Sequence, residues 1–389
     1  MKLPGWQPET AARMRRQLLR WYDRSRRDLP WRRTHDPYAI CDPYAIWVSE
    51  IMLQQTRVAV VVERFKAFME RFPTVLALAL APEQDVLALW SGLGYYRRAR
   101  MLHKAAQFVA EHHAGSLPAT AEKLKLLPGI GSYTAAAIAS IAHGEPVAVV
   151  DGNVERVLCR VRGWQAGRVS ATALRRQVET AAAELLDAAR PDAKRPGDFN
   201  QAMMELGATV CTPRNPQCLL CPLAQDCVTR GEHKTVKRPR MVSEDVACAL
   251  GLREGPAGEE VLLEQRAESN TVMPGLWQLP MLRVTAVPEK ALRMTVRHAI
   301  MQVNYTVRVR TVTEKAAKKL TVSGGQRRWV ALSEAGGMAL TGLARKVLGR
   351  AGAIPSPAAR DDRLQAAQGQ TARQNHGHPE LREVRDHGI

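Results

Sequence analysis

Four cysteines crowded into one short loop constrain this chain more than any other feature. They stand as Cys211-x6-Cys218-x2-Cys221-x5-Cys227, in the run Cys-Thr-Pro-Arg-Asn-Pro-Gln-Cys-Leu-Leu-Cys-Pro-Leu-Ala-Gln-Asp-Cys. Four thiolates held this close by a proline-rich loop can close around a cube of iron and sulfide. A disulfide pair would not need all four together. A structural zinc site usually has two short Cys-x-x-Cys arms with a longer insert between them. Only Cys218 and Cys221 form such an arm here, and the outer two stand at unequal distances. A [4Fe-4S] cluster is the expectation, with zinc and free thiols as the alternatives.

The chain of 389 residues is long for one compact domain, so two domains and a tail are expected. Lys and Arg outnumber Asp and Glu by 56 to 38, a formal charge of +18. That balance favours a polyanionic partner, nucleic acid first, although a solubilising surface or a ribosomal association would look similar. No run approaches the length of a transmembrane helix, and no membrane partner is expected. Met-Lys-Leu-Pro-Gly-Trp-Gln at the start lacks an apolar signal core. Cys41, Cys159 and Cys248 do not suggest a disulfide framework, which points to a reducing cytoplasm.

Residues 10–230 read as mostly helical, with Trp47, Ile51, Val58, Val62, Phe65 and Met69 at helical spacing. Residues 230–243 are polar and basic and read as a linker. Beyond it Val246–Leu252, Val261–Gln265, Tyr305–Thr313 and Arg328–Leu332 read as strands of a smaller α+β domain. The expected domains are thus 1–229, a linker at 230–243, a second domain at 244–350, and a tail at 351–389. The tail has few large apolar residues and is expected to be disordered. One oddity is Asp36-Pro37-Tyr38-Ala39-Ile40-Cys41, followed at once by Asp42-Pro43-Tyr44-Ala45-Ile46-Trp47. The first copy of this tandem duplication reads as an extra surface loop.

Leu127-Pro128-Gly129-Ile130-Gly131-Ser132-Tyr133-Thr134-Ala135-Ala136-Ala137-Ile138 reads as a helix-hairpin-helix. Pro128 and Gly129 end the preceding helix. Gly131 lets backbone approach a phosphate closely, and the small residues after it open a new helix. The free N–H groups and positive dipole end of that helix would face an anion. Such contacts position a protein on DNA without reading its sequence. An ordinary helical connection with a Gly cap is the plainer alternative.

Leu29-Pro30-Trp31-Arg32, Trp47-Val48-Ser49-Glu50-Ile51-Met52-Leu53-Gln54-Gln55-Thr56, Gly92-Leu93-Gly94-Tyr95-Tyr96, the hairpin, Val150-Asp151-Gly152-Asn153-Val154 and the four cysteines follow one another over about residues 20–230. In this order the chain resembles the MutY-type adenine DNA glycosylases of the endonuclease III superfamily. The resemblance implies a mainly α N-terminal catalytic region, a six-helix barrel module beside an iron–sulfur helical module. It also implies a Nudix-like α+β C-terminal domain. The implied activity is release of adenine mispaired with 8-oxoguanine or guanine in double-stranded DNA. The implied enzyme is monofunctional, monomeric and cytoplasmic, associated with a bacterial nucleoid.

Adenine leaves poorly unless it is protonated, and its departure leaves positive charge on the sugar. Two carboxyls suit that chemistry, one as acid and one as stabiliser. Glu50 matches the family's acid, and burial beside Ile51 and Met52 would raise its pKa. Asp151 matches the stabiliser, although Asp151-Gly152-Asn153 also suits a helix N-cap. A solvated helix face is the plain reading of Glu50. Tyr133 stands where related bifunctional enzymes carry a Schiff-base Lys, so strand cleavage is not expected. The resemblance further implies that Tyr133 hydrogen-bonds the Asp and that Asn153 orients water or carboxylate. Arg32 would line the adenine pocket, and Gly129 and Gly131 would meet phosphate. Gln55 and Tyr95 would wedge into the duplex beside a flipped nucleotide. Arg97, Arg98, Arg100 and Lys104 would extend the basic surface.

In the C-terminal region Leu262–Arg266 and Pro274–Pro280 match the family's Nudix-like pattern without a Nudix box. His298 matches the His upstream of the family's Phe-Ser-His lesion loop, but this chain reads Ile300-Met301-Gln302 there. Gln302 keeps a hydrogen-bonding side chain, while Met301 can only pack. Two other readings follow: a mismatch glycosylase of the same superfamily with a different base-pair preference, and a non-catalytic iron–sulfur DNA-binding protein.

Overall fold

Short polar side chains set where many of the helices start. The computed structural model describes residues 5–32, 42–165, 167, 169–187, 195–233, 240–256, 258–321 and 325–355, and they fall into two compact units divided between Pro239 and Arg240. The first unit holds α1 (Pro8–Ser25), α2 (Pro43–Leu53), α3 (Val58–Arg71), α4 (Val75–Ala79), α5 (Glu83–Leu89), α6 (Arg97–His113), α7 (Ala121–Leu124), α8 (Ser132–His143), α9 (Gly152–Arg162), α10 (Ala171–Leu186) and α11 (Pro196–Thr209). Asp42, Thr74, Thr120, Asp151 and Ser170 each accept a backbone N–H of the first turn that follows. Gly144 and Gly163 end α8 and α9 in the left-handed conformation that an L side chain resists.

Met14, Leu18 and Tyr22 of α1 are fully buried against Val154, Val157 and Leu158 of α9, Val178 of α10 and Leu206 of α11. The apolar series from Trp47 to Met69 is not one helical face. The helix carrying Trp47 and Ile51 stops at Leu53, because Gln55 takes a φ of 56° and turns the chain. The next helix buries Val61, Phe65 and Phe68, and leaves Val58, Val62 and Met69 half-buried. Asp36–Cys41, the first copy of the duplication, lies outside the described residues; in the second copy Asp42 caps α2 and Tyr44 donates to the Phe72 carbonyl at 2.9 Å.

The second unit is a mixed sheet. Its strands are β1 (Val242–Gly255), β2 (Gly258–Gln265), β3 (Trp277–Gln278), β4 (Met281–Leu282), β5 (Met294–Ile300), β6 (Val303–Val312) and β7 (Arg327–Ala331). They run in the order β3-β2-β1-β6-β5, with β4 on β1 and β7 on β2. β1 and β6 are parallel, and the other pairs are antiparallel. Alternation along β6 buries Val307 and Val309, while Arg308 and Arg310 reach the carbonyls of Val287 and Ala286 at 3.0 Å. Three helices complete the unit: α12 (Glu314–Ala317), α13 (Leu332–Ala335) and α14 (Gly342–Arg350). Ala335, Val347 and Leu348 pack on Leu250, Val261, Leu263 and Val296.

Four of these strands coincide with the expected ones, and β3, β4 and β5 do not. Two residues carry no readable period, and β5 is a sheet edge on which Val296 is the one fully buried residue. The expected linker is structured at both ends: Glu232 accepts the Asn215 N–H at 2.6 Å, and Val242 and Ser243 pair with Val303 and Asn304. The expected tail begins too early, since Ile354 is 5% exposed in the sheet core. Linker residues 234–239 and tail residues 356–389 lie outside the described residues.

Gly197 of α11 meets α8 backbone to backbone. A Cβ there would stand 2.6 Å from the Ser140 carbonyl oxygen and 2.7 Å from the Ile141 Cα. Neither atom can give way cheaply. Gly197→Ala should therefore destabilise the first unit by about 1–3 kcal/mol despite its better helix propensity. Urea melts followed by circular dichroism check this; equal or greater stability would contradict the crossing.

Candidate active site

Glu50 sits in the middle of α2, 5% exposed, on a cavity of about 550 Å³ that Tyr133, Asp151, Asn153, Gln201, Met204 and Glu205 also line. Burial pushes its carboxyl up, the Tyr133 hydrogen bond pulls against this, and Asp151 adds to the rise, leaving a pKa of about 7. The Tyr133 hydroxyl donates to Glu50 Oε2 at 2.5 Å and lies 3.5 Å from the Met204 sulfur. The expected Tyr133–Asp151 bond is thus corrected: the one O–H of the phenol donates its hydrogen bond to Glu50. Both oxygens of Asp151 are already engaged, by Asn153 Nδ2 and by the Val154 N–H, each at 2.7 Å. Asp151 is therefore both the N-cap of α9 and a carboxylate facing the cavity. Asn153 orients that carboxylate.

Arg156, one turn along α9, holds Asn153 in turn. Its Nη2 donates to Asn153 Oδ1 at 2.7 Å and to the Gly207 carbonyl at 2.6 Å, and its Nε to the Cys211 carbonyl at 2.8 Å. One guanidinium so joins the start of the cysteine loop to the residue that aims Asp151. Arg156 was not anticipated from the sequence; its spacing after Asn153 is the signal that was available.

Arg32 lines the cavity but is not free in it. Its Nη2 donates to Glu205 Oε2 at 2.9 Å and its Nε to Gln201 Oε1 at 3.0 Å. Arg27 forks onto the same carboxylate at 2.6 and 2.9 Å. Burial pushes the Glu205 carboxyl up, yet these two arginines hold it below its ordinary range. Arg27, Gln201 and Glu205 were also missed, because nothing in their local sequence marks them.

Gly129 has a φ of 75°, and a Cβ there would lie 2.7 Å from Met101 Cβ. Gly131 caps α8 with ordinary backbone and open space around it, so protein packing does not demand a glycine there. Room for backbone to approach a ligand is what it leaves. Among the described residues no side chain caps the α8 N-terminus, which leaves its first N–H groups to an anion. Gln55 and Tyr95 are exposed, at φ values of 56° and 48°. Tyr96 is instead buried. Arg98 does not extend the basic surface: it turns inward to the carbonyls of Ile51, Leu93 and Gly94. Arg100 is paired with Glu83 at 2.9 Å.

His298 and Gln302 belong to the second unit. His298 is half-buried on β5 against Gly342, and burial lowers its imidazole pKa, with Lys346 adding to the fall. Gln302 is exposed in the β5–β6 turn, its carbonyl accepting the Val242 N–H at 2.9 Å. Met301 beside it is 73% exposed with a φ of 54°.

Cys211, Cys218, Cys221 and Cys227 line one hollow together with Val157, Val161 and Val210. Leu223, fully buried, anchors the loop, and Arg160 donates to Cys211 Sγ at 3.4 Å and to the Thr212 and Pro213 carbonyls at 2.7 and 3.0 Å. Burial pushes the Cys221 thiol up to about 11, a proton that iron would displace. Among the described residues no three His, Cys, Asp or Glu side chains converge on a single ion position. Four cysteines lining one hollow are the donor set that a [4Fe-4S] cluster takes.

Residues 48–186 match the HhH-GPD superfamily of base excision DNA repair proteins, and residues 211–227 match the iron-sulfur binding domain of endonuclease III. The chain is 40% identical over 336 residues to the adenine DNA glycosylase of Homo sapiens, covering 73% of this chain and 59% of that protein. It is 48% identical over 248 residues to that of Mus musculus, covering 62% and 46%. With the adenine DNA glycosylase of Mycolicibacterium smegmatis the identity is 45% over 208 residues, covering 54% and 67%. The chain thus spans roughly half the length of the mammalian relatives. Among solved structures, a thermostable thymine-DNA glycosylase aligns with a TM-score of 0.50 and 26% identity, over 57% of this chain and 97% of that one. The fold of the first unit is therefore the HhH-GPD fold, and the chain carries a [4Fe-4S] cluster. Purified protein should contain about four irons per chain, and Cys221→Ala should lower that content. Metal analysis checks this; one zinc and no iron would contradict it.

Proposed function

Because the chain belongs to the adenine DNA glycosylase family within the HhH-GPD superfamily, we propose that it hydrolyses the N-glycosidic bond of adenine mispaired with 8-oxoguanine or guanine in double-stranded DNA. The observation that carries this reading is a buried carboxyl, Glu50, with a pKa of about 7, beside a second carboxyl, Asp151, on a cavity roomy enough for a purine nucleoside. In this reading the target nucleotide is turned out of the stack into the cavity. Glu50 gives its proton to a ring nitrogen of adenine. The bond from sugar to base then breaks with its electron pair leaving on the base. Asp151, aimed by Asn153, stabilises the positive charge left on the sugar. Water adds to the anomeric carbon, and its proton passes to a carboxylate.

Arg27, Arg32 and Glu205 would face the adenine edge, and Gln55 and Tyr95 would occupy the gap in the duplex. The α8 N-terminus, with Gly129 and Gly131, would hold backbone phosphate. Cys211, Cys218, Cys221 and Cys227 would hold the cluster. When bound, the cluster would supply a rigid frame for its loop, and Arg156 ties that loop to Asn153. The second unit would act as a Nudix-like lesion-recognition domain, with His298 and Gln302 near the orphan base. The enzyme would work as a monomer.

Glu50 must carry its proton to act as acid. Single-turnover adenine release should therefore be greatest below a pH of about 7 and fall as pH rises through that value. Glu50→Gln should lower release by about 10²–10⁴-fold while DNA binding at matched salt persists. Near-wild-type release in the variant would overturn the assignment. Tyr133 cannot form a Schiff base, so borohydride should trap no adduct and the strand should stay intact without added base. A robust adduct would point to another amine, such as Lys123 or Lys125.

The turn sequence Ile300-Met301-Gln302 favours one second reading, a relaxed base-pair preference. Replacing the tripeptide by Phe-Ser-His should widen the preference for A:8-oxoguanine over A:G by about 1–3 kcal/mol. Rates on A:8-oxoguanine, A:G, T:G and A:C duplexes separate the readings. An unchanged ratio would mean that this turn does not read the lesion.

A further inference from the structure

Arg98 lies at the first turn of α6, in a run of basic residues, yet it spends its charge inside the protein. Its Nη1 donates to the carbonyls of Ile51 at 2.8 Å, Met52 at 3.2 Å and Gln54. Its Nη2 donates to Thr56 Oγ1 at 3.1 Å and to the carbonyls of Leu93 at 3.0 Å and Gly94 at 3.2 Å. The guanidinium carbon stands 5.6 Å from the Trp90 ring centre and 5.4 Å from that of Tyr95. The Trp90 indole also donates to the Gly94 carbonyl, at 3.1 Å.

These contacts come from three places. Ile51 and Met52 belong to the last turn of α2, whose end leaves carbonyls without helical partners. Gln54 and Thr56 flank Gln55, and Leu93 and Gly94 precede Tyr95. Gln55 and Tyr95 are both held in left-handed backbone, which non-glycine residues rarely adopt. A conformation of that kind persists when its surroundings over-determine it. Here one planar cation does so for both turns at once, and its field also opposes the negative end of the α2 dipole. A lysine has the charge but not the fork, and could not span the two turns.

We propose that Arg98 is a positioning residue that locks the Gln54–Thr56 and Leu93–Tyr95 turns into one rigid wedge. It thereby presents the side chains of Gln55 and Tyr95 together and ties them to the end of the helix that carries Glu50. The inference rests on the reading that these two side chains fill the gap left by a flipped nucleotide. On that footing Arg98 couples opening of the duplex to chemistry at Glu50 without touching the substrate.

The test compares two substrates in the full-length, cluster-loaded protein. One is a duplex with adenine opposite 8-oxoguanine, and the other places the same adenine in an unpaired bubble, where little unstacking is needed. Arg98→Met fills the space without hydrogen bonds, and Arg98→Lys keeps the charge. Both should lose single-turnover release on the duplex by at least about tenfold more than on the bubble. With 2-aminopurine in place of the target adenine, the fluorescence rise on binding should fall in parallel. Gln55→Ala and Tyr95→Ala should show the same duplex-selective loss. Iron content and circular dichroism establish that each variant is folded, and Arg98→Lys carries the comparison if Arg98→Met does not fold. Equal losses on both substrates would make Arg98 a structural residue and overturn the proposal. So would a wild-type ratio at Arg98 while Gln55→Ala and Tyr95→Ala lose theirs. A wild-type ratio in Gln55→Ala and Tyr95→Ala would instead remove the wedge reading, and the proposal with it.

Discussion

Helix α11 crosses α8 and α9 so closely that only a hydrogen atom fits at two points. At Gly197 the neighbour is the backbone of Ser140 and Ile141, and at Gly207 it is Asn153. Much of the site hangs on this crossing. Between the two glycines Asn200, fully buried, donates to Ser140 Oγ at 2.9 Å and to the Val147 carbonyl at 2.8 Å, and accepts the Val149 N–H at 3.0 Å. Both its amide hydrogens and its carbonyl oxygen are engaged, and two of the three bonds go to the extended segment that leads into Asp151. Gln201, Met204 and Glu205 of the same helix face the cavity, and Cys211 follows just beyond its end. A shift of α11 would therefore disturb the cavity wall, the aim of Asp151 and the start of the cysteine loop together.

Glu50 and Glu205 line the same cavity and are driven in opposite directions. Both are almost wholly buried, which by itself favours the protonated form. Glu205 meets two guanidinium groups within hydrogen-bond distance and stays below its ordinary range. Glu50 meets a phenol and the nearby negative Asp151, and rises to about 7. Separating two carboxyls by their partners lets one carry a proton near neutrality while the other serves as a fixed acceptor. Placing the arginines beside Glu50 instead would remove its proton and with it any role as an acid.

Much of the local structure was legible in the residues themselves. Asp151 ahead of Gly152 and Asn153 announces a capped helix, and it caps α9. Pro128-Gly129 announces a break, and Gly129 takes the left-handed backbone that only glycine accepts easily. The strands that carry a short apolar run or an alternating one, β1, β2, β6 and β7, were readable to within a few positions. The edge strand β5 was not, since Arg297 and His298 interrupt its apolar pattern and one residue of it is fully buried. Arg98 was misread for a similar reason. A basic run looks solvated until the oxygens that accept from it are brought alongside, and those lie 42 to 47 residues away in all but two cases.

By itself the sequence determined which groups bring chemistry: four thiols in one loop, a hairpin with exposed N–H groups, and two carboxyls in helical settings. Those properties are set by spacing along the chain, because caps, turns and short loops are made by neighbours. Only the tertiary structure decided what state and partner each group has. Tyr133 donates a hydrogen bond to Glu50 across 83 residues, Arg27 and Arg32 neutralise Glu205 across 178 and 173, and Arg156 reaches the Cys211 carbonyl across 55. Burial and pairing shift a pKa or hold a rotamer through distance in space, and distance along the chain carries no record of it.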